Sequence, residues 1–126
     1  MNVVDSSGWL EYLTDGTNAK AFAPAMVNAV ELLVPTIVLY EVFKKTTRER
    51  GEAEALAALA AMQQGQIVEL SSEIAVAAAR VSLADKLPMA DSIILASARA
   101  YYATLWTQDA HFERIAGVKY IAARKQ

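Results

Sequence analysis

Cysteine is absent from the chain, and its absence excludes disulfides, thiolate zinc sites and iron–sulfur clusters. It is compatible with a reducing, cytoplasmic setting. Histidine occurs once, at His111, so no site that needs two imidazoles can form. A Ser-His-Asp triad would have to draw on that one histidine, and no serine stands in a Gly-x-Ser-x-Gly turn. Long hydrophobic runs are also missing. The stretch from Glu31 to Leu39 is interrupted by Pro35 and polar residues, far short of the ~20 residues a bilayer requires. The opening Met1-Asn2-Val3-Val4-Asp5 has no basic region and turns acidic at once, unlike a secretory leader. No membrane partner is expected. A large excess of either charge is missing too: 12 Lys and Arg against 14 Asp and Glu give a net −2, which does not announce the basic face of a nucleic-acid binder. That weighs against binding by phosphate neutralisation alone. It weighs less against chemistry in which a bound divalent cation supplies the positive charge.

What the chain does have is apolar residues at 55% of its length, many of them alanines in helical runs. With 126 residues there is room for one core, and a single domain over 1–126 is expected. Short buried strands are predicted at 2–4, 32–34, 67–70, 104–106 and 118–121. Helices are predicted between them. One follows Asp5-Ser6-Ser7-Gly8 and ends near Asp15-Gly16. A second carries Phe22, Ala25, Met26, Ala29 and Val30, with its ordered part starting at Pro24. Thr36 is read as the cap of a helix over 37–50, and Gly51 separates it from an alanine-rich helix ending near Gln64-Gly65. Ser71-Ser72-Glu73 opens a helix through Ala84, Pro88 starts another over 89–103, and a short one covers 109–115. Strands separated by helices imply crossovers and a parallel sheet covered on both faces: a three-layer α/β/α domain of about five strands.

In such a sheet ligands gather at the carboxyl ends of the strands, near the point where strand order reverses. Asp5 directly follows the first strand, and Asp109 comes three residues after Trp106 at the end of the fourth. Glu41 lies on the second turn of the helix after strand two, and Asp91 in the first turn of the helix before strand four. All four can meet on one rim. Each also has an ordinary role open to it. Asp5 and Asp109 suit helix N-caps, Glu41 can pair with Lys45 on a solvent face, and Asp91 suits the positive end of its helix. Glu41, however, is flanked by Ile37, Val38 and Val42. Asp91 heads a face continuing through Ile94, Leu95 and Ala98, where an unpaired acid is costly. Clustered carboxylates are what hard cations such as Mg²⁺ and Mn²⁺ prefer, and such ions activate water for phosphodiester hydrolysis. Two basic clusters, Lys44, Lys45, Arg48 and Arg50, and Lys119, Arg124 and Lys125, read first as solvated surface.

Four segments resemble the blocks of PIN domains, in order along essentially the whole chain. Asp5-Ser6-Ser7-Gly8-Trp9-Leu10 is similar to the opening block, in which an aspartate closes strand one and a small hydroxyl residue follows. Pro35-Thr36-Ile37-Val38-Leu39-Tyr40-Glu41 resembles the block carrying the family's glutamate, and Leu87-Pro88-Met89-Ala90-Asp91-Ser92 the block with its third acid. Trp106-Thr107-Gln108-Asp109-Ala110-His111-Phe112 resembles the last, where a threonine precedes the final aspartate by two. By length the closest likeness is to VapC-type toxins of toxin–antitoxin pairs. The resemblance implies an Mg²⁺- or Mn²⁺-dependent endoribonuclease that acts on RNA, a homodimer, with a cognate antitoxin that blocks the site. It implies that Asp5, Glu41, Asp91 and Asp109 hold the metal directly or through water. Thr107 would orient Asp109 or a metal-bound water, and Ser6 would assist. Asp85 is assigned to a solvated helix end, His111 to packing or surface, and Trp9 and Trp106 to the core.

Two other readings compete. A receiver domain would need an adjacent acidic pair after strand one and an aspartate after strand three. Here Asp5 is followed by serines, and strand three runs into Leu70-Ser71-Ser72. A non-catalytic PIN-like module that docks protein or RNA fits the fold, but it has no use for four mutually repelling carboxylates.

Overall fold

The computed structural model describes residues 1–123. Among them β1 (Asn2–Val4), β2 (Leu32–Pro35), β3 (Gln66–Val68), β4 (Thr104–Thr107) and β5 (Val118–Tyr120) form one sheet in the order β3-β2-β1-β4-β5. Every adjacent pair is parallel. Parallel neighbours require crossovers, and six helices supply them: α1 (Ser6–Leu13), α2 (Ala19–Met26), α3 (Thr36–Arg50), α4 (Glu52–Met62), α5 (Ser72–Asp85) and α6 (Met89–Ala100). They flank the sheet in the three-layer α/β/α arrangement expected. The central strands are apolar on both faces, as a covered parallel sheet demands. Val3, Val4, Val34 and Leu105 are fully buried, and the helices add Phe22, Val38, Met62, Ile94 and Leu95 to the same core.

The strand order positions the site. From β1 the chain winds outward through β2 to β3, then returns to the other flank of β1 to lay down β4 and β5. The order therefore reverses between β1 and β4, and the crossovers leave a crevice at the carboxyl ends of those two strands. Asp5 continues the pairing by donating its N–H to the carbonyl of Trp106 (3.1 Å), so the chain turns away from the sheet there. Gly8 then lets α1 lie close to the strand. A Cβ at that position would come within 2.5 Å of Val4 Cγ1 and 2.7 Å of Phe22 Cε1, both in the core. No other residue allows α1 to leave β1 at this distance without displacing α2.

Several boundaries differ from the sequence reading. α2 begins at Ala19 rather than Pro24, which falls inside the helix and withholds one N–H. The carbonyl four residues earlier belongs to Lys20, an exposed residue, and burial of Ala19, Phe22 and Ala25 holds the helix together. Val30, read into the same stripe, is 74% exposed in the 3-10 turn Ala29–Glu31. Thr36 is the first residue of α3, not its cap; Pro35 holds the cap position with no side-chain bond. β3 stops at Val68, α6 ends at Ala100, and only Ala110–Phe112 is helical after Asp109, as a 3-10 turn. Trp9 and Trp106 are both buried, and Asp85 is exposed at the end of α5, as expected. Arg124 and Lys125 lie outside the described residues. Among the described residues no helix is long and apolar enough to cross a membrane.

Candidate active site

Asp5 is the buried hub of the crevice, 3% exposed. Its Oδ1 accepts from the Gly8 N–H (2.9 Å) and the Ser7 hydroxyl (2.7 Å), so it does cap α1. Its Oδ2 accepts from the Thr107 hydroxyl at 2.5 Å across the β1–β4 boundary. The capping role and the site role thus belong to different oxygens of one carboxylate. Thr107, fully buried at the end of β4, also accepts from the Asp109 N–H (2.9 Å). One hydroxyl therefore ties the first acid to the backbone of the fourth. Asp109 in turn caps the 3-10 turn, its Oδ1 accepting from the His111 N–H at 2.9 Å.

The third and fourth acids meet at the rim. Asp91, in the first turn of α6, brings Oδ2 to 2.9 Å from His111 Nδ1, and Asp109 Oδ1 lies 3.4 Å from the same nitrogen. Ligand atoms of Asp91, Asp109 and His111 all fall within 4.8 Å of one another. Asp5 and Glu41 stand outside that tight trio but within reach of its charge. Glu41, on α3, is raised chiefly by burial and further by the charges of Asp91 and Asp109, and Asp5 chiefly by burial with a small addition from Asp109. Glu41 Oε1 is buried without a hydrogen-bond partner. Among the described residues no ion pair joins Glu41 to Lys45, so the solvent-face pairing open to it does not form.

Burial is the main force on these acids, with mutual repulsion a smaller addition. Burial pushes Asp5 up to about 6, against hydrogen bonds from Thr107, Gly8 and Ser7 that favour its charged form; Asp109 adds repulsion. Glu41 is raised by burial first, with the Ser6 hydroxyl beside it pulling the other way. Asp91 is raised by burial despite His111. His111 is raised by its hydrogen bond to Asp91 and by the charges of Asp109 and Asp91. Carboxylates that repel one another and share too few donors are poised for a cation. Glu41 Oε1, a buried acceptor with nothing to accept from, fits such an ion better than it fits a packing role.

Beside Glu41 a cleft of about 290 Å³ is lined by Ser6, Tyr40, Lys44, Lys45 and Arg48. The basic run of α3 therefore opens next to Glu41. A larger cleft, about 530 Å³, lies between α1, α3 and α4 and contains none of the four acids. Its lining includes Glu11, Glu49 and Glu54 with Lys45 and Arg50, but Glu54 pairs with Arg50 (3.7 Å), Glu11 accepts from the Asn18 N–H (2.8 Å), and among the described residues these acids do not converge on one point. Size is a poor guide here, because a cation site needs converging oxygens rather than volume.

Two features escaped the sequence. His111 is a surface residue, as expected, with its side chain 59% exposed, but it faces Asp91 and Asp109. Its spacing two residues after Asp109 was the available signal. Asn18 is 2% exposed and donates to Gln108 Oε1 (3.0 Å) and the Ala122 carbonyl (2.9 Å), bracing the loop that carries Asp109. Nothing in its local pattern marks it.

The PIN domain family model matches residues 3–118. No curated protein matches the chain. Among solved structures, a toxin–antitoxin complex from Klebsiella pneumoniae superposes with TM-score 0.79 at 23% identity, over 96% of this chain and 100% of that one. Mycobacterium tuberculosis VapC20, a Sarcin-Ricin loop cleaving toxin, gives 0.76 at 18%, over 99% and 100%. VapBC2 from Rickettsia felis, bound to a fragment of its promoter DNA, gives 0.72 at 17%, over 96% and 97%. At these identities the likeness is one of fold.

Proposed function

Since the chain belongs to the PIN domain family, we propose that it is an endoribonuclease dependent on Mg²⁺ or Mn²⁺, acting as a single domain. Asp5, Glu41, Asp91 and Asp109 would hold the cation. The observations that support this reading are the close approach of Asp91, Asp109 and His111 at the rim, the Thr107 hydroxyl that ties Asp5 to the Asp109 backbone, and the unpartnered Glu41 Oε1 on α3. When bound, a divalent ion there supplies a water of lowered pKa and stabilises the leaving oxygen of a phosphodiester. The chain's own residues do the rest. Thr107 fixes the Asp5 carboxylate and the Asp109 backbone in one hydrogen-bonded unit. Ser6 orients Glu41 or a water beside it. Lys44, Lys45 and Arg48, lining the adjoining cleft, draw the phosphates of an RNA strand toward the acids.

The toxin role of a type II toxin–antitoxin pair follows from the same reading, with a cognate antitoxin as partner, a homodimer as the assembly and the cytoplasm as its place. Similarity to the Klebsiella toxin–antitoxin complex and to the VapBC structure supports it. A non-catalytic docking module gains nothing from four crowded acids.

Cleavage of total RNA by purified protein, with end mapping of the products, tests the activity. Fragments are expected with Mn²⁺ or Mg²⁺ and none with a chelator. Asp91→Asn should reduce the rate at least about 100-fold, more than the loss usual for a residue that only supports a metal ligand. Equal cleavage by Asp91→Asn and wild type would reject the site.

A further inference from the structure

We infer that His111 is itself a ligand of the cation, completing with Asp91 and Asp109 a mixed nitrogen–oxygen face that shifts preference from Mg²⁺ toward first-row transition ions. This rests on the nuclease reading and specifies its metal. His111 Nδ1 lies 2.9 Å from Asp91 Oδ2 and 3.4 Å from Asp109 Oδ1. In an octahedral shell with bonds of about 2.1 Å, adjacent ligand atoms stand about 3 Å apart. His111 thus already stands at the spacing of a neighbouring ligand from each of the two acids, and ligand atoms of all three lie within 4.8 Å of one another.

The position is built rather than incidental. The His111 N–H is bonded to the Asp109 carboxylate (2.9 Å), so acid and imidazole travel together on one 3-10 turn. That turn is anchored by Phe112, which is fully buried. The imidazole contributes little to packing, because its side chain is mostly exposed. Its contacts are with two acids from two elements. Nitrogen is the distinguishing donor: Mg²⁺ takes oxygen and keeps its waters, whereas transition ions accept imidazole readily.

Pulsed electron paramagnetic resonance of Mn²⁺ bound to the whole chain reads the ligand directly, and calorimetric titration with Mn²⁺ and Mg²⁺ reads the preference. Wild type should show ¹⁴N coupling from an imidazole, absent in His111→Ala and His111→Gln. His111→Ala should lose about 10–100-fold in Mn²⁺ affinity and much less in Mg²⁺ affinity. Since His111 is exposed, both variants should fold, which circular dichroism checks. Bound Mn²⁺ without nitrogen coupling, or a His111→Ala variant that binds Mn²⁺ as tightly as wild type or tighter, overturns the ligand role and leaves the acid site standing. Wild type that binds neither ion removes the acid site as well.

Discussion

Asp5→Asn is expected to abolish most RNA cleavage, by at least about 100-fold, while making the metal-free protein more stable than wild type at pH 8. The two effects share a cause. In the unfolded chain this carboxyl group ionises near 3.8; in the folded chain burial moves it to about 6. Between those values the folded state holds a proton that the unfolded state has lost. Stability therefore falls as pH rises from about 4 to about 6 and stays low above that. A separation of roughly two pKa units corresponds to ~3 kcal/mol. Asparagine is neutral, keeps the Oδ1 bonds to Gly8 and Ser7, and escapes the loss. It cannot accept from Thr107 with its amide nitrogen, so the gain should be smaller, about 1–3 kcal/mol at pH 8, shrinking toward zero near pH 4. Chemical denaturation across that range measures it. A variant destabilised equally at every pH would show that folding leaves the Asp5 pKa unshifted, with its hydrogen bonds balancing desolvation. Full activity in the variant would remove Asp5 from the site.

Phe112→Ala should carry the largest loss of stability, about 3–5 kcal/mol, as for other fully buried aromatic truncations. Phe112 is 0% exposed and closes the 3-10 turn that holds Asp109 and His111. Emptying its place leaves a cavity directly beneath that turn. Activity should fall even at a temperature where the variant remains folded and Mn²⁺ saturates. Met62→Ala is the comparison, because Met62 is equally buried but ends α4, an element that carries none of the four acids. It should lose about 2–5 kcal/mol with little change in cleavage rate per folded molecule. If both variants lose activity in proportion to stability alone, the turn has no special part in positioning the acids.

Much of this arrangement is legible in the sequence because its causes are local. Asp5 follows the short strand Asn2-Val3-Val4 and precedes serines and a glycine, and Thr107 ends another short strand with Asp109 two residues on. A parallel sheet must bring such strand ends to one edge, so topology does the gathering. Asp91 stood out because Ile94, Leu95 and Ala98 continue its face, and all three are buried. What stayed hidden depends on contacts between distant segments. Pro24 sits inside α2 because Phe22 packs beneath Gly8, which tertiary burial decides and local proline chemistry does not. The approach of His111 to Asp91 requires Ala110–Phe112 to form one 3-10 turn rather than the longer helix read at 109–115. The bond from Asn18 to Gln108 spans 90 residues, and no local pattern encodes it.

Everything turns on whether Asp5, Glu41, Asp91 and Asp109 act together on one divalent ion. Thermal unfolding with increasing Mn²⁺, for wild type and Asp91→Asn side by side, puts that to the test without needing the natural RNA. An ion bound only by the folded chain adds about 2.7 kcal/mol at a hundred times its dissociation constant, a rise of several degrees in Tm. Wild type should show that rise and Asp91→Asn only a fraction of it. A wild-type Tm that does not move up to millimolar Mn²⁺ would contradict the account.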